Sequence, residues 1–445
     1  MGLNNQYRNL IRYSFILIML SALIGVWVYI WMHYYADIII RPFYYRGNLL
    51  VIVVYALLLF FFIKFYGGFR IGYYKRGNVI YAGFLSLVMC NIVTYFQISL
   101  IGRALMDTRP MLVMVLAQIA FFIAWTLVAC KLYVKVFSPR TLLMVYGGEE
   151  LTNSLLRKMS SYPENYSIHD TINISEGLDN VLNEISKQSG VILCDIPSSQ
   201  RNILLKFCFE RGIRTYTTPK ISDILIRGAS EIHLFDTPLL LNRNAGLSPE
   251  QRAIKRLTDI IFSGLAFIIC LPFMLIIALA VKLCDQGPVI YKQKRLTIGH
   301  REFCLYKFRS MIVDAEKQHG VQLATEKDNR ITPVGRVIRM LRMDELPQLW
   351  NILKGDMSIV GPRPERPEIS MVYTETMPEF EYRLKVKAGL TGLAQTVGRY
   401  NTTAYDKLRM DLDYISNYSI LQDFKLMLMT VKVLFEKEST KGVGA

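Results

Sequence analysis

Two carboxylates, Asp344 and Glu345, stand side by side among closely spaced guanidinium groups. Arg336, Arg339 and Arg342 recur every three residues just before them, a spacing that puts all three on one broad face of a helix. Pro347 follows and suits the first turn of a new helix, whose apolar stripe is Leu346, Leu349, Trp350 and Leu353. The carboxylates thus fall at a junction between two helices. The positive end of the second helix favours an ionised acid there and draws in a phosphate. Lys307 and Arg309 lie upstream in the basic cluster Tyr306–Met311. Downstream, Arg363 is held between Pro362 and Pro364, so a stiffened backbone carries a planar fork that suits phosphate oxygens. Each feature alone has a plain explanation: a solvated basic face, a helix cap, a surface turn. Together they are equipment for phosphoryl transfer, which needs mainly positioning and charge neutralisation, commonly with Mg²⁺. A carboxylate can itself be the nucleophile and form an acyl phosphate. Asp344 and Glu345 are the expected Mg²⁺ ligands, because the chain pairs no His or Cys at ligand spacing and Mg²⁺ prefers hard oxygen. Arg339 and Arg342 are expected to lower the Asp344 pKa and keep it ionised near neutrality.

The elements that carry this cluster belong to a membrane protein. The 445 residues are 52% hydrophobic with positive mean hydropathy, too apolar for an ordinary soluble chain. With that much apolar sequence, the net charge of +16 points to lipid headgroups and phosphates, and not to nucleic acid. Seven scattered cysteines without CxxC spacing read as reduced thiols. Four apolar runs, roughly Ile11–Trp31, Leu49–Phe65, Val79–Ile101 and Met111–Tyr133, each approach the ~20 residues that span a bilayer. Basic residues such as Arg12, Lys64, Arg70, Lys131 and Lys135 place both ends of this group in the cytoplasm. Beyond it, Thr141–Tyr146, Gly190–Asp195 and Arg214–Thr217 read as strands alternating with helices, a doubly wound α/β domain. The Gly147-Gly148 turn after the first strand lacks the full glycine pattern of a dinucleotide site, so a spacer or dimerisation role is favoured.

A fifth apolar run, Ile260–Val281, has basic residues on both sides, so charge asymmetry gives it no preferred crossing. Pro272 near its middle lacks the N–H of the helix ladder, and a kink is expected there. A broken helix that enters and leaves on the cytoplasmic side and a kinked spanning helix both satisfy these facts.

The stretches Ile290–Met311 and Ile331–Pro364 resemble the bacterial sugar transferase family, the large monotopic polyprenyl-phosphate phosphoglycosyl transferases that initiate exopolysaccharide, capsule or O-antigen repeat units. The resemblance covers about Gln251–Phe435, and the layout of four membrane helices and an α/β spacer is similar to the family's large form. It implies a re-entrant helix about 254–282 broken at Pro272, and an Asp-Glu dyad at Asp344-Glu345. In that dyad the Asp is the nucleophile and the Glu assists with metal and proton handling. It implies phosphate-contacting arginines at Arg339 and Arg363; Lys307, Arg309 and Arg342 are the further candidates for phosphate and nucleotide-sugar binding from the basic clusters themselves. The implied reaction moves a sugar-1-phosphate from a UDP-sugar to undecaprenyl phosphate, releasing UMP, at the bacterial inner membrane with the catalytic domain facing the cytoplasm. Two departures are Leu271 where the family often has Ser before the helix-breaking proline, and Lys387–Gln395, which lacks a Pro and a Trp often found there.

The expected architecture is a multidomain membrane protein: a four-helix transmembrane bundle (1–137), a Rossmann-like α/β domain (138–245) and a mainly α catalytic domain (246–445). The oligomeric state is open, with a homodimer as the candidate. Two other function classes compete. Asp411-Leu412-Asp413 has the letters of a glycosyltransferase metal site, although its helical pattern reads as a solvated face. A non-catalytic membrane scaffold leaves the Asp-Glu and Pro-Arg-Pro clusters without a role.

Overall fold

The computed structural model describes residues 7–38, 43, 45–74, 76–137, 139–160, 166–242, 246–313, 328, 330–398 and 402–434. Residues 243–245, at the expected junction of the second and third domains, lie outside them. The chain divides into two compact units, Met1–Thr218 and Pro219–Ala445.

The first unit opens with α1 (Arg8–Ile30), α2 (Tyr45–Tyr66), α3 (Arg76–Ile101) and α4 (Arg109–Val136). All four are long and apolar enough to cross a membrane. Leu17, Leu57, Leu100 and Leu116 point outward, which is costly in water and favourable in lipid. One closed polar ring ties the four helices together. The Gln118 side-chain amide donates to the Leu23 carbonyl at 3.0 Å and to the Tyr55 hydroxyl at 2.8 Å. Asn91 donates to Gln118 Oε1 at 2.9 Å, and Tyr55 donates to Asn91 Oδ1 at 3.3 Å. Polar side chains buried among apolar helices persist when they satisfy one another in this way.

The rest of the unit alternates strands and helices: β1 (Arg140–Tyr146), α5 (Glu149–Ser160), β2 (Tyr166–Asn173), α6 (Leu178–Ser186), β3 (Gly190–Cys194), α7 (Ser198–Glu210) and β4 (Arg214–Thr217). They build a parallel sheet of order β2-β1-β3-β4. The central strand β3 is buried at every position, as a strand covered on both faces must be. β2, at one edge of the sheet, escaped the sequence reading because it is half polar and half exposed.

The second unit begins with α8 (Ile221–Arg227) and a hairpin, β5 (Ser230–Leu234) and β6 (Thr237–Leu241). Ile224 of α8 packs with Phe380, Leu408 and Leu412, all of this unit. Next comes α9 (Pro249–Asp285), capped by Ser248, whose hydroxyl accepts from Gln251 N. Its 37 residues stay helical through Pro272. Ile268, Leu275 and Leu283 are exposed along it, and it too is long and apolar enough to cross a membrane. Its other side rests on a small body formed by the hairpin β7 (Ile290–Leu296) and β8 (Glu302–Phe308), α10 (Pro333–Met340), α11 (Gln348–Lys354) and β9 (Ser358–Val360). Toward the N-terminal end of α9, the Arg256 guanidinium donates to the Ile352 and Leu353 carbonyls, both at 2.6 Å. Asp259 accepts from Ser358 Oγ at 3.0 Å and Ile359 N at 2.9 Å. Toward the other end, Ile277 and Val281 pack with Phe308 and Ile338. The unit closes with α12 (Pro367–Thr376), β10 (Gly389–Thr391) paired to β9, α13 (Leu393–Val397), α14 (Ala404–Ser416) and α15 (Ile420–Leu434).

Candidate active site

The turn that carries the two carboxylates is set by what ends one helix and starts the next. Thr332 caps α10, its hydroxyl accepting from Gly335 N at 2.9 Å, with Pro333 in the first turn. The helix stops at Met340 because Arg342 adopts a left-handed conformation with φ 53°. The expected single face of three arginines is therefore corrected. Arg336 and Arg339 share α10, whereas Arg342 lies beyond its end and turns the chain into the tight 3-10 turn Met343–Glu345. Leu346 then inserts between two apolar clusters, one with Leu349 and Ile352 and the other with Ile277 and Ile338, which pins the turn.

The two carboxylates have different surroundings. Glu345 Oε1 accepts from Lys307 Nζ at 2.9 Å and from Arg363 at 2.8 Å. Burial opposes its ionisation, but Arg363 and Lys307 outweigh that and hold it below the usual carboxylate range. Among the described residues, the Asp344 carboxylate makes no hydrogen bond or ion pair. Burial, with the neighbouring Glu345 charge, pushes it up to about 6, against the pull of Lys307, Arg339 and Arg363. The expectation that arginines would depress this pKa fails because half-buried Asp344 loses water and meets a like charge before it gains a cation.

Lys307, Arg339, Arg342 and Arg363 are brought to the dyad, and all four act electrostatically on one or both carboxylates. Arg309 is not. Its buried guanidinium pairs with Asp285 at the end of α9. Pro272 lies in α9, whose Ile277 and Val281 pack in one cluster with Leu346. The Asp-x-Asp pair is no metal site. Asp411 is buried and paired with Arg383 at 2.7 Å, which corrects its reading as a solvated residue, while Asp413 accepts from Asn417. Among the described residues, no group of three or more His, Cys, Asp or Glu side chains converges to hold a metal.

The sequence reading missed Asn351. It is fully buried on α11, accepts from Tyr306 N at 3.0 Å and donates to the Cys304 carbonyl at 2.8 Å. It thereby locks β8, and with it Lys307, against the helix that follows the dyad. An Asn on an apolar helix face was the available signal.

Arg363 reaches Glu345 from the loop after β9. Gly361 and Gly389 allow that loop to pack backbone on backbone. A Cβ on Gly389 would fall 2.1 Å from Gly361 N, and one on Gly361 would fall 2.4 Å from the Lys387 carbonyl. A half-exposed guanidinium is thus presented beside an uncommitted carboxylate, on a body joined to a long apolar helix. That arrangement can neutralise phosphate charge and offer a nucleophile at a lipid surface.

The family profile described as bacterial sugar transferase matches residues 250–437. The chain is 40% identical over 232 residues to the UDP-N-acetylgalactosamine-undecaprenyl-phosphate N-acetylgalactosaminephosphotransferase of Aeromonas hydrophila, a match covering 51% of this chain and 53% of the relative. It is 36% identical over 233 residues to the UDP-glucose:undecaprenyl-phosphate glucose-1-phosphate transferase of Xanthomonas campestris pv. campestris, covering 51% of this chain and 48% of that protein. It thus spans about half the length of these two relatives. The exopolysaccharide production protein PSS of Rhizobium leguminosarum bv. phaseoli is 39% identical over 199 residues, 43% of this chain and 98% of the relative.

Proposed function

The chain belongs to the bacterial sugar transferase family, and from that premise we propose that it transfers a sugar-1-phosphate from a UDP-sugar to undecaprenyl phosphate, releasing UMP. This would be the first membrane step of an exopolysaccharide, capsule or O-antigen. The observation that carries the reading is the asymmetry of the dyad: Glu345 is clamped by Lys307 and Arg363 while Asp344 is left without a partner among the described residues.

An Asp344 oxygen attacks the sugar-linked phosphorus of the UDP-sugar, and the bond from that phosphorus to the oxygen shared with UMP breaks. UMP leaves with that oxygen and its electron pair, and Asp344 holds the sugar phosphate as a mixed anhydride. The phosphate of undecaprenyl phosphate then attacks the same phosphorus and frees the Asp344 carboxylate. Lys307, Arg339 and Arg363 neutralise charge that would otherwise repel an anionic nucleophile from a diphosphate. The residues suit Mg²⁺: a free carboxylate beside an ionised one is enough for a cation that takes its other ligands from water and substrate phosphates. Asp344 and Glu345 would hold it, and it would supply further neutralisation of diphosphate charge.

In this reading α9 is a re-entrant helix turned at Pro272, with its exposed apolar side chains in one leaflet. It rests on one small body through Arg256 toward one end and Ile277 toward the other, which supports both ends lying on the same side of the membrane. In the same reading the four preceding helices are the transmembrane bundle, and the basic residues near its ends favour a cytoplasmic side for the catalytic domain at the inner membrane. The test is incubation of the purified protein with undecaprenyl phosphate and a panel of UDP-sugars. UMP release with one sugar is expected, UDP release would mark a glycosyl transferase, and neither product would leave a scaffold.

A further inference from the structure

The loop that presents Arg363 is gripped by its own backbone. Four successive carbonyls each have a donor from elsewhere in the fold. Gly389 N donates to the Pro362 carbonyl at 2.8 Å, and Leu296 N donates to the Glu365 carbonyl at 3.1 Å. The two carbonyls between them are taken by arginines. The Arg383 guanidinium donates to the Arg363 carbonyl at 3.0 Å, and Arg295 donates to the Pro364 carbonyl at 3.1 Å. Glu365 lies between these arginines, 3.5 Å from Arg383 and 4.0 Å from Arg295. Arg383 is also held at 2.7 Å by Asp411 from α14.

This network is a poor way to stabilise a fold. The Arg383 and Asp411 side chains are 4% and 2% exposed, and the Arg383 Nε finds no acceptor among the described residues. Burial pushes Asp411 up to about 6 even beside its arginine. A buried ion pair commonly contributes no more to stability than apolar residues of the same volume, so what it distinctively supplies is geometry. The geometry here ends on the backbone of the residue that grips Glu345.

We propose that Arg383, set by Asp411 and Glu365, is a positioning residue that holds the Pro362–Glu365 loop so that Arg363 stays on Glu345. Arg383 touches neither substrate nor dyad, and it acts only through Arg363. The inference rests on the catalytic reading above. Its test is a double-mutant cycle on the full-length membrane protein, reading UMP release. In the otherwise unchanged protein, Arg363→Lys should cost ~10²-fold in kcat/KM, the scale of a misplaced catalytic contact. In an Arg383→Gln background the same change should cost under ~3-fold, because groups that act as a unit are non-additive. Asp411→Asn, which keeps the guanidinium and removes only its counter-charge, enters the same cycle as the milder variant. Equal Arg363→Lys costs in all backgrounds would overturn the proposal. So would loss of folded, membrane-inserted protein in both variants, which would make the network a support of the fold and not of the loop. If the unchanged protein releases no UMP from any UDP-sugar, the catalytic reading itself has failed. If it is active and the cycle is additive, only the positioning role has failed.

Discussion

The polar ring of the first unit and the charged site of the second are both hydrogen-bonded clusters, and they are built to opposite rules. In the ring, Tyr55, Asn91 and Gln118 are neutral and buried, and each side chain is both donor and acceptor to another. At the site, one carboxylate is ionised and doubly paired while its neighbour is half buried with nothing to bind. A closed network fixes helices against one another and leaves no group over for chemistry. An open one costs stability and keeps a reactive group available.

The sharpest way to break this contrast is to remove the charge from the open cluster. Asp344→Asn should lower UMP release by ~10³-fold or more, the scale of losing an activated nucleophile. Because burial disfavours the ionised form, the same change should leave the melting temperature at pH 7 unchanged or raised. Retained turnover, or a clear fall in melting temperature, would place Asp344 among the structural residues. Asn caps helices about as well as Asp, so a mere capping role predicts a silent substitution.

Glu345→Gln should cost less, on the order of 10²-fold, since it removes a partner of Lys307 and Arg363 and leaves the nucleophile. A loss as complete as that of Asp344→Asn would erase the division of labour within the dyad.

The two acids also separate along the pH axis. Asp344 has a folded-state pKa raised to about 6, so kcat/KM should climb as pH rises through about 6 and then level. Stability from this group runs the other way, present below the ordinary aspartate range and lost as pH rises through about 6. Glu345 is depressed, so its contribution holds above the ordinary glutamate range and is lost on acidification. A pH–rate profile beside a pH–melting profile of the Asp344→Asn protein tests both signs. A rate that stays flat from pH 5 to 8 would contradict the assignment.

Chelation with excess EDTA should abolish turnover and added Mg²⁺ should restore it, with little change in melting temperature. Full turnover in EDTA would remove the metal from the reading.

The smallest effect belongs to the closed network. Gln118→Leu deletes the hub of the ring and should destabilise the membrane-inserted protein by about 0.5–2 kcal/mol, the usual value of an interhelical hydrogen bond. UMP release should stay within about twofold, because the ring has no part in neutralising phosphate charge. Resistance to denaturation in detergent reads the first effect.

Much of the site was legible in the sequence because its signals are local. Adjacent acids, an arginine between two prolines and a helix start at Pro347 are written in consecutive residues, and Lys307, Arg339 and Arg363 do converge on the dyad. Arg342 was misplaced because a three-residue spacing describes a helix only while the helix continues, and one left-handed residue ended it. Arg309 looked no different from Lys307 two residues earlier. Arg309 lies just past the end of β8, where Asp285 at the end of α9 pairs with it instead.

By itself the sequence determined the apolar helices, the central strands of the sheet and the residue types at the dyad. Those depend on periodicity, length and nearest neighbours. Only the tertiary structure decided which carboxylate is paired and which is free, that Asn351 locks Lys307 in place, and that Arg383, Asp411 and Glu365 meet behind Arg363. Each of those contacts joins segments far apart in the chain, and burial there sets the sign of the Asp344 shift. Neither distance through space nor loss of water is encoded at any single position.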